Sequence, residues 1–368
     1  MKKYFILILS VALFACSQQK GYKINVNLEG AEGQILLEKR GATAWIPIDT
    51  ADVIEGVAVL EGEVEIPGDY YLSVLGQRAK ALVFVENAKI NVTGKADSIY
   101  LAEITGSVTH DEYKVVDNKM KEISEEYMAL YQESRTATAA GDNAKAEELM
   151  DKVNELYEST ITVQEDFVKE NPASYVAPYF LLRIQYGKEA DELEALVSGL
   201  DPKLDSVQSI IDLKELIKKL KTVAIGQIAP DFTQNDPDGN PVRFSDIYSK
   251  NELTLLDFWA AWCGPCRGEN PNVVAVYNDY KDKGFSVFGV SLDREKEAWL
   301  KAIKDDNLTW THVSDLSYWD NAAAKLYAVS GIPHSILVDK NGKIIAKNKR
   351  EDELREAVSS FLESKPLS

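Results

Sequence analysis

Two cysteines separated by two residues, Cys263 and Cys266 with Gly264-Pro265 between them, are the part of this 368-residue chain best suited to chemistry. Such a pair supports three roles: half of a zinc site, a dithiol that cycles with its disulfide, or two inert buried thiols. A closed zinc site needs four ligands. The third cysteine, Cys16, stands far away, and His110, His312 and His334 are scattered without ligand spacing, so the sequence disfavours a metal. A redox pair needs a helix N-terminus directly after a buried strand, because the unpaired amides there stabilise a thiolate.

The flanking residues predict that placement. Leu253 to Trp259 reads as a buried strand running into the cysteines, and Pro265 suits a first helical turn, where its missing N–H is not needed. Cys263 then precedes the helix and is expected to be the exposed nucleophile. Cys266, about one turn on, is positioned to attack a mixed disulfide formed at Cys263. Around this core, Phe285 to Leu292 reads as a second strand. Ser335–Asp339 and Lys343–Ala346 flank Asn341-Gly342 as a hairpin, and Glu351 to Leu362 closes as a helix. Strand and helix patterns alternate from about Val223, the mark of an α/β unit.

Asp257-Phe258-Trp259-Ala260-Ala261-Trp262-Cys263-Gly264-Pro265-Cys266 is very similar to the active-site strand of thioredoxins. Arg267-Gly268-Glu269-Asn270-Pro271 resembles the run after the cysteines in TlpA/ResA-like thiol–disulfide oxidoreductases. Ala229-Pro230-Asp231-Phe232 is shared by that class and the peroxiredoxins. The resemblance covers about residues 223–368. It implies that Asp257 is the buried acid that helps deprotonate the resolving cysteine, a role suited to a carboxyl whose pKa is raised by desolvation. It implies that Glu269 is an active-site glutamate, that Pro333 in Gly331-Ile332-Pro333 is a cis-proline facing the cysteines, and that Ile332 pairs with the substrate backbone. Trp262, Gly264 and Pro265 fall among the substrate-contacting positions. The class usually has threonine after this proline, whereas this chain has His334, which either biases the nearby thiolate or simply caps a strand. Pro271 is expected to kink the active-site helix.

The rest of the chain must position or deliver this unit. Residues 22–107 read as β: Tyr22, Ile24, Val26 and Leu28 alternate with polar residues, and further short β-rich runs separated by Gly, Pro and Asn turns suggest a small sandwich or barrel. The pattern resembles the β-domain of unknown function that precedes thioredoxin modules in lipoproteins of the Bacteroides group. Residues 108–222 read as helical: Val116, Met120, Ile123, Tyr127 and Leu130 recur at helical spacing, as do Leu149, Val153, Leu156, Val163 and Phe167. This stretch is expected to be a spacer packed on its neighbours or a homodimerisation surface. The whole is expected to be a multi-domain α+β chain, with an N-terminal β-sandwich or barrel, a helical middle and a C-terminal thioredoxin-like α/β domain whose central mixed sheet is flanked by helices.

The N-terminus reads as an address. Lys2 and Lys3 precede an 11-residue, mainly apolar run from Tyr4 to Phe14. Spanning a bilayer takes roughly 20 apolar residues, so the run reads as a secretory signal, residues 1–15. Leu13-Phe14-Ala15-Cys16 resembles the lipobox of bacterial lipoproteins, which implies cleavage before Cys16, a lipid on that cysteine, a tether over 16–21 and a periplasm-facing membrane anchor; the alternative is an ordinary signal with Cys16 incidental. The formal net charge of −18 and pI near 4.8 argue against nucleic-acid binding, which needs a basic footprint. Nothing resembles a phosphate-binding glycine loop or a flavin site, so no cofactor is expected. The expected partners are protein disulfide substrates and a membrane or thioredoxin-like electron donor. Other readings are a tethered binding or assembly module with an auxiliary redox domain, a disulfide isomerase, and a peroxiredoxin.

Overall fold

A computed structural model describes residues 20–41 and 44–363. The signal run, Cys16 and most of the expected tether lie outside the described residues. The chain divides into two compact units, residues 1–181 and 182–368. Residues 108–222, read from sequence as one helical region, contribute to both.

The first unit begins with eight strands: β1 (Tyr22–Glu29), β2 (Gln34–Arg40), β3 (Trp45–Asp52), β4 (Val57–Gly62), β5 (Gly68–Val74), β6 (Lys80–Val85), β7 (Lys89–Lys95) and β8 (Glu103–Thr105). They form two four-stranded sheets, ordered β4-β1-β7-β8 and β3-β2-β5-β6. The alternation in β1 works as its sequence dictates, with Ile24, Val26 and Leu28 buried and their neighbours facing out. These residues meet Ile35, Leu37, Leu72 and Val83 of the other sheet in one core, which makes the unit a sandwich. Helices α1 (Val108–Ala139) and α2 (Asn143–Glu170) pack as a hairpin turned at Gly141, whose φ of +78° suits glycine. On the outer face of β6, buried Phe84 meets Tyr113 of α1 and Tyr179 of α3 (Ala177–Ile184) at ring separations of 5.4 and 5.5 Å.

The second unit contains α4 (Ala190–Ser198), α5 (Gln208–Thr222), β9 (Thr233–Asn235), β10 (Pro241–Arg243), α6 (Ser245–Tyr248), β11 (Leu253–Trp259), α7 (Gly264–Tyr280), β12 (Phe285–Ser291), α8 (Lys296–Asp305), β13 (Thr311–Val313), α9 (Ala322–Leu326), β14 (His334–Asp339), β15 (Ile344–Lys347) and α10 (Glu351–Glu363). Its main sheet has the order β13-β12-β11-β14-β15. β12 runs parallel to both β11 and β13, whereas β14 is antiparallel to β11 and to β15. This is the mixed sheet of a thioredoxin-like unit. β11 is central, and all seven of its residues are buried, as its unbroken apolar run requires. The β14–β15 hairpin turns at Asn341-Gly342, with Gly342 at φ +83°. α7 continues through Pro271 as one helix.

Candidate active site

The end of β11 leads through Ala260, Ala261 and Trp262 to Cys263, which caps the N-terminus of α7. Cys263 Sγ accepts the Cys266 N–H at 3.1 Å, so a helix-terminal amide already points at this sulfur. The two cysteines are joined as a disulfide, with Cα atoms 5.3 Å apart. Gly264 and Pro265 fill the first helical positions, where no intrahelical partner for their nitrogens is required. Contrary to the expected exposed nucleophile, Cys263 is 4% exposed and Cys266 2%, and both belong to the apolar core cluster of this unit. In the disulfide the sulfurs turn toward that core. Trp262, at 47%, faces solvent, as do Gly264 and Pro265.

The loop is fixed from below. The Asp293 carboxylate accepts the Ala261 N–H at 3.0 Å and the Ser291 hydroxyl at 2.7 Å. One turn into α7, Arg267 and Asn270 both donate to the Asp306 carboxylate, the latter at 2.7 Å.

Asp257 lies on β11 opposite Ser335 of β14 and is 8% exposed. No hydrogen bond from a described residue reaches its carboxylate. Burial pushes its pKa up to about 7; the Glu269 carboxylate adds to the rise and the Arg350 guanidinium opposes it. Glu269 thus shares the electrostatic surroundings of Asp257, and it also has a structural task. Its Oε1 accepts the Asn272 side-chain amide at 2.7 Å and the Glu351 N–H at 2.9 Å, which fastens α7 to the start of α10.

The Ile332–Pro333 bond is cis. Because Phe258 pairs with His334, Pro333 lies at the end of the sheet where β11 turns toward the cysteines. The Arg350 guanidinium donates to the Pro333 carbonyl at 2.6 Å. His334 packs against Phe258 with ring centroids 6.0 Å apart, and burial, with Lys347 and Arg350 nearby, pushes its pKa down to about 4. At neutral pH it carries no charge with which to bias a thiolate. This agrees with a strand-starting role, since it is the first residue of β14. His312 sits between Trp259 and Trp310 with its pKa lowered to about 3 by burial.

Several contributors lay outside the sequence reading. Arg350 comes from the segment before α10, 84 positions after Cys266, and no spacing ties it to the motif. Asp293 follows a strand that was readable, but its bond to Ala261 depends on β11 and β12 being neighbours. Tyr318 and Trp319, between β13 and α9, meet Trp262 at ring separations of 5.1 and 6.0 Å. They are aromatics in a loop, a weak signal but a visible one.

Comparison with known proteins covers both units. Residues 225–347 match the AhpC/TSA family, and residues 22–113 match a domain of unknown function, DUF4369. Over 144 residues, 39% of this chain and 80% of the relative, the chain is 31% identical to the thiol-disulfide oxidoreductase ResA of Bacillus thuringiensis subsp. konkukian. It is 34% identical over 122 residues to ResA of Geobacillus kaustophilus, covering 33% of this chain and 67% of that one. Among solved structures, it is similar to the thioredoxin domain of a thiol-disulfide oxidoreductase from Bacteroides vulgatus, with 42% identity, 38% of this chain and 98% of that chain covered, and a TM-score of 0.36. A thiol:disulfide interchange protein from Bacteroides sp. gives 41% identity, 39% and 93% coverage, and again a TM-score of 0.36.

Proposed function

This chain belongs to the ResA family of thiol–disulfide oxidoreductases, and on that premise we propose that it reduces protein disulfides outside the cytoplasm, with Cys263 as the attacking and Cys266 as the resolving thiol. The observation that carries the assignment of roles is the Cys263–Cys266 disulfide at the N-terminus of α7, with the Cys266 N–H directed at Cys263 Sγ. That amide and the helix terminus favour negative charge on Cys263.

In the reduced chain, the Cys263 thiolate attacks one sulfur of a substrate disulfide. The substrate S–S bond breaks, a mixed disulfide forms, and one substrate thiolate leaves and takes up a proton. Asp257, with a pKa of about 7, accepts the Cys266 thiol proton. The Cys266 thiolate then attacks Cys263 Sγ, which closes the internal disulfide and releases the second substrate thiolate. Two electrons pass to the substrate, and an external dithiol donor, membrane-bound or thioredoxin-like, restores the chain. Glu269 holds α10 to α7 and tunes Asp257. Pro333 and Ile332 offer the substrate a backbone edge, and Trp262, Gly264 and Pro265 form the rim it meets. Cys16, once lipidated, would keep the domain at a membrane near its donor. Residues 22–107 and 108–222 serve as the carrier that sets it there, with a homodimer through the helices.

The test is reduction of insulin by the full chain in the presence of a recycling reductant. The expected result is turnover that Cys263→Ser abolishes. Wild-type inactivity, or turnover that survives Cys263→Ser, overturns the proposal.

A further inference from the structure

Beside the disulfide, three aromatic rings from two distant parts of the sequence stand together. Trp262 precedes Cys263; Tyr318 and Trp319 come from the loop between β13 and α9. The Tyr318 and Trp319 rings lie 5.9 Å apart, inclined at 71°, and each meets Trp262 at an inclined angle. Edge-to-face packing of this kind leaves ring faces open rather than stacking them shut. Trp262 is 47% and Trp319 37% exposed, although burial of such side chains ordinarily contributes heavily to stability.

The loop is built to hold them there. Leu316 and Tyr318 both have φ of +56°, a left-handed conformation that non-glycine residues rarely adopt. It is retained because its surroundings determine it: the Asp315 carboxylate accepts the Ala322 N–H at 2.8 Å and the Asn321 side chain at 2.9 Å, and Ser314 Oγ donates to the Ser291 carbonyl at 2.8 Å. The Arg294 guanidinium lies 4.2 Å from the centre of the Tyr318 ring, and the Trp262 indole N–H is directed at the Leu292 carbonyl. A cleft of about 510 Å³, within the size range of ligand sites, is lined by Trp262, Arg294, Glu295, Ala298 and Tyr318, while Trp319 stands outside this lining against Trp262 and Tyr318.

We propose that Tyr318 and Trp319, with Trp262, form a substrate subsite that takes an aromatic side chain adjacent to the reacting cysteine of an extended or unfolded polypeptide. The inference rests on the redox reading above. Any chain whose cysteine becomes bonded to Cys263 must lead its neighbouring residues past Trp262, the preceding residue. The exposed Trp262 and Trp319 rings supply aromatic surface that suits an aromatic guest, while Arg294 covers one face of Tyr318. The cation nearest them is already placed over Tyr318, so an acidic guest gains less.

The test uses the full reduced chain and two disulfide-linked peptides that differ only at the residue after the reacting cysteine, phenylalanine in one and serine in the other, with a leucine peptide as a third. The wild type is expected to show a second-order rate constant of reduction, in a single turnover, about fivefold to tenfold higher for the phenylalanine peptide than for the serine peptide. Trp319→Ala and Tyr318→Gly, the latter retaining ease at positive φ, are expected to bring that ratio below about twofold, while Trp319→Phe retains it. Because the ratio is taken within one preparation, a partly unfolded variant does not alter it, and the wild-type ratio stands as a test even if a variant fails to fold. A wild-type ratio near one, equal preference for leucine, or a ratio untouched by both ring removals overturns the proposal. A chain that reduces none of the peptides, with Cys263→Ser no slower, overturns the redox reading instead.

Discussion

Two carboxylates are buried on inner strands of the two units, and their surroundings differ. Glu38 on β2 is 6% exposed; it accepts the Ser73 hydroxyl at 2.7 Å and forms an ion pair with Lys80. Asp257 on β11 is 8% exposed, receives no hydrogen bond from a described residue, and faces the like charge of Glu269. A buried acid must be matched by a partner or by its own proton. Glu38 has the partner and is a structural group. Asp257 has only the proton, and with a pKa of about 7 it can give or take that proton in ordinary conditions. The same residue class thus builds a fold in one unit and is poised for chemistry in the other.

Removing the poised acid should have the largest effect. The folded chain keeps a proton on Asp257 that the unfolded chain releases above about pH 4. Stability from this site is therefore complete below that pH and lost as pH rises through about 7, a change of order 4 kcal/mol. Asp257→Asn should be more stable than the wild type at pH 8 by up to that amount and equal to it below pH 4, in denaturant titrations followed by tryptophan fluorescence; five of the six tryptophans lie in the second unit. The same variant should slow disulfide exchange at pH 7 by about 100-fold. A stability difference that ignores pH contradicts the comparison.

The converse change is Lys80→Met, which leaves Glu38 buried without its cation. It should destabilise the sandwich by about 3 kcal/mol, read by hydrogen exchange of the β1–β8 amides, and leave the exchange rate at Cys263 unaltered. Stability equal to that of the wild type would remove the distinction between the two acids.

Smaller shifts refine the picture around Asp257. Glu269→Gln removes the like charge and should move the inflection of the pH–rate profile downward. Arg350→Met removes the opposing cation and should move it upward. Each should change the rate at pH 7 by less than about fivefold, since Arg350 is exposed and its interaction is screened. Shifts in the same direction would show that Asp257 is not the titrating group.

How much of this was legible in the sequence depended on how local the signal was. The Cys263/Cys266 spacing, the apolar run of β11 with Asp257 inside it, and the Asn341-Gly342 turn are local features and read directly. β3 lacks a legible strand pattern because it is an edge strand, exposed along most of its length and interrupted by Pro47, which an edge tolerates. Arg350 and the Tyr318–Trp319 loop reach the site through β14, β13 and their neighbours. Their roles exist only once the sheet order is known. The helical pattern of 108–222 was visible, but periodicity shows which face is apolar without showing which core receives it. The burial of Cys263 depends on the motif lying against the core of the unit, which spacing does not convey.

The most direct test of the assigned roles is a trapping experiment on the full reduced chain, exposed to a disulfide-bonded polypeptide and examined by mass spectrometry. Cys266→Ser should accumulate a stable mixed disulfide at Cys263, because the attacking thiol is present and the resolving one is not. Cys263→Ser should accumulate little. Equal trapping by both variants, or an adduct carried mainly by Cys266, would contradict the account.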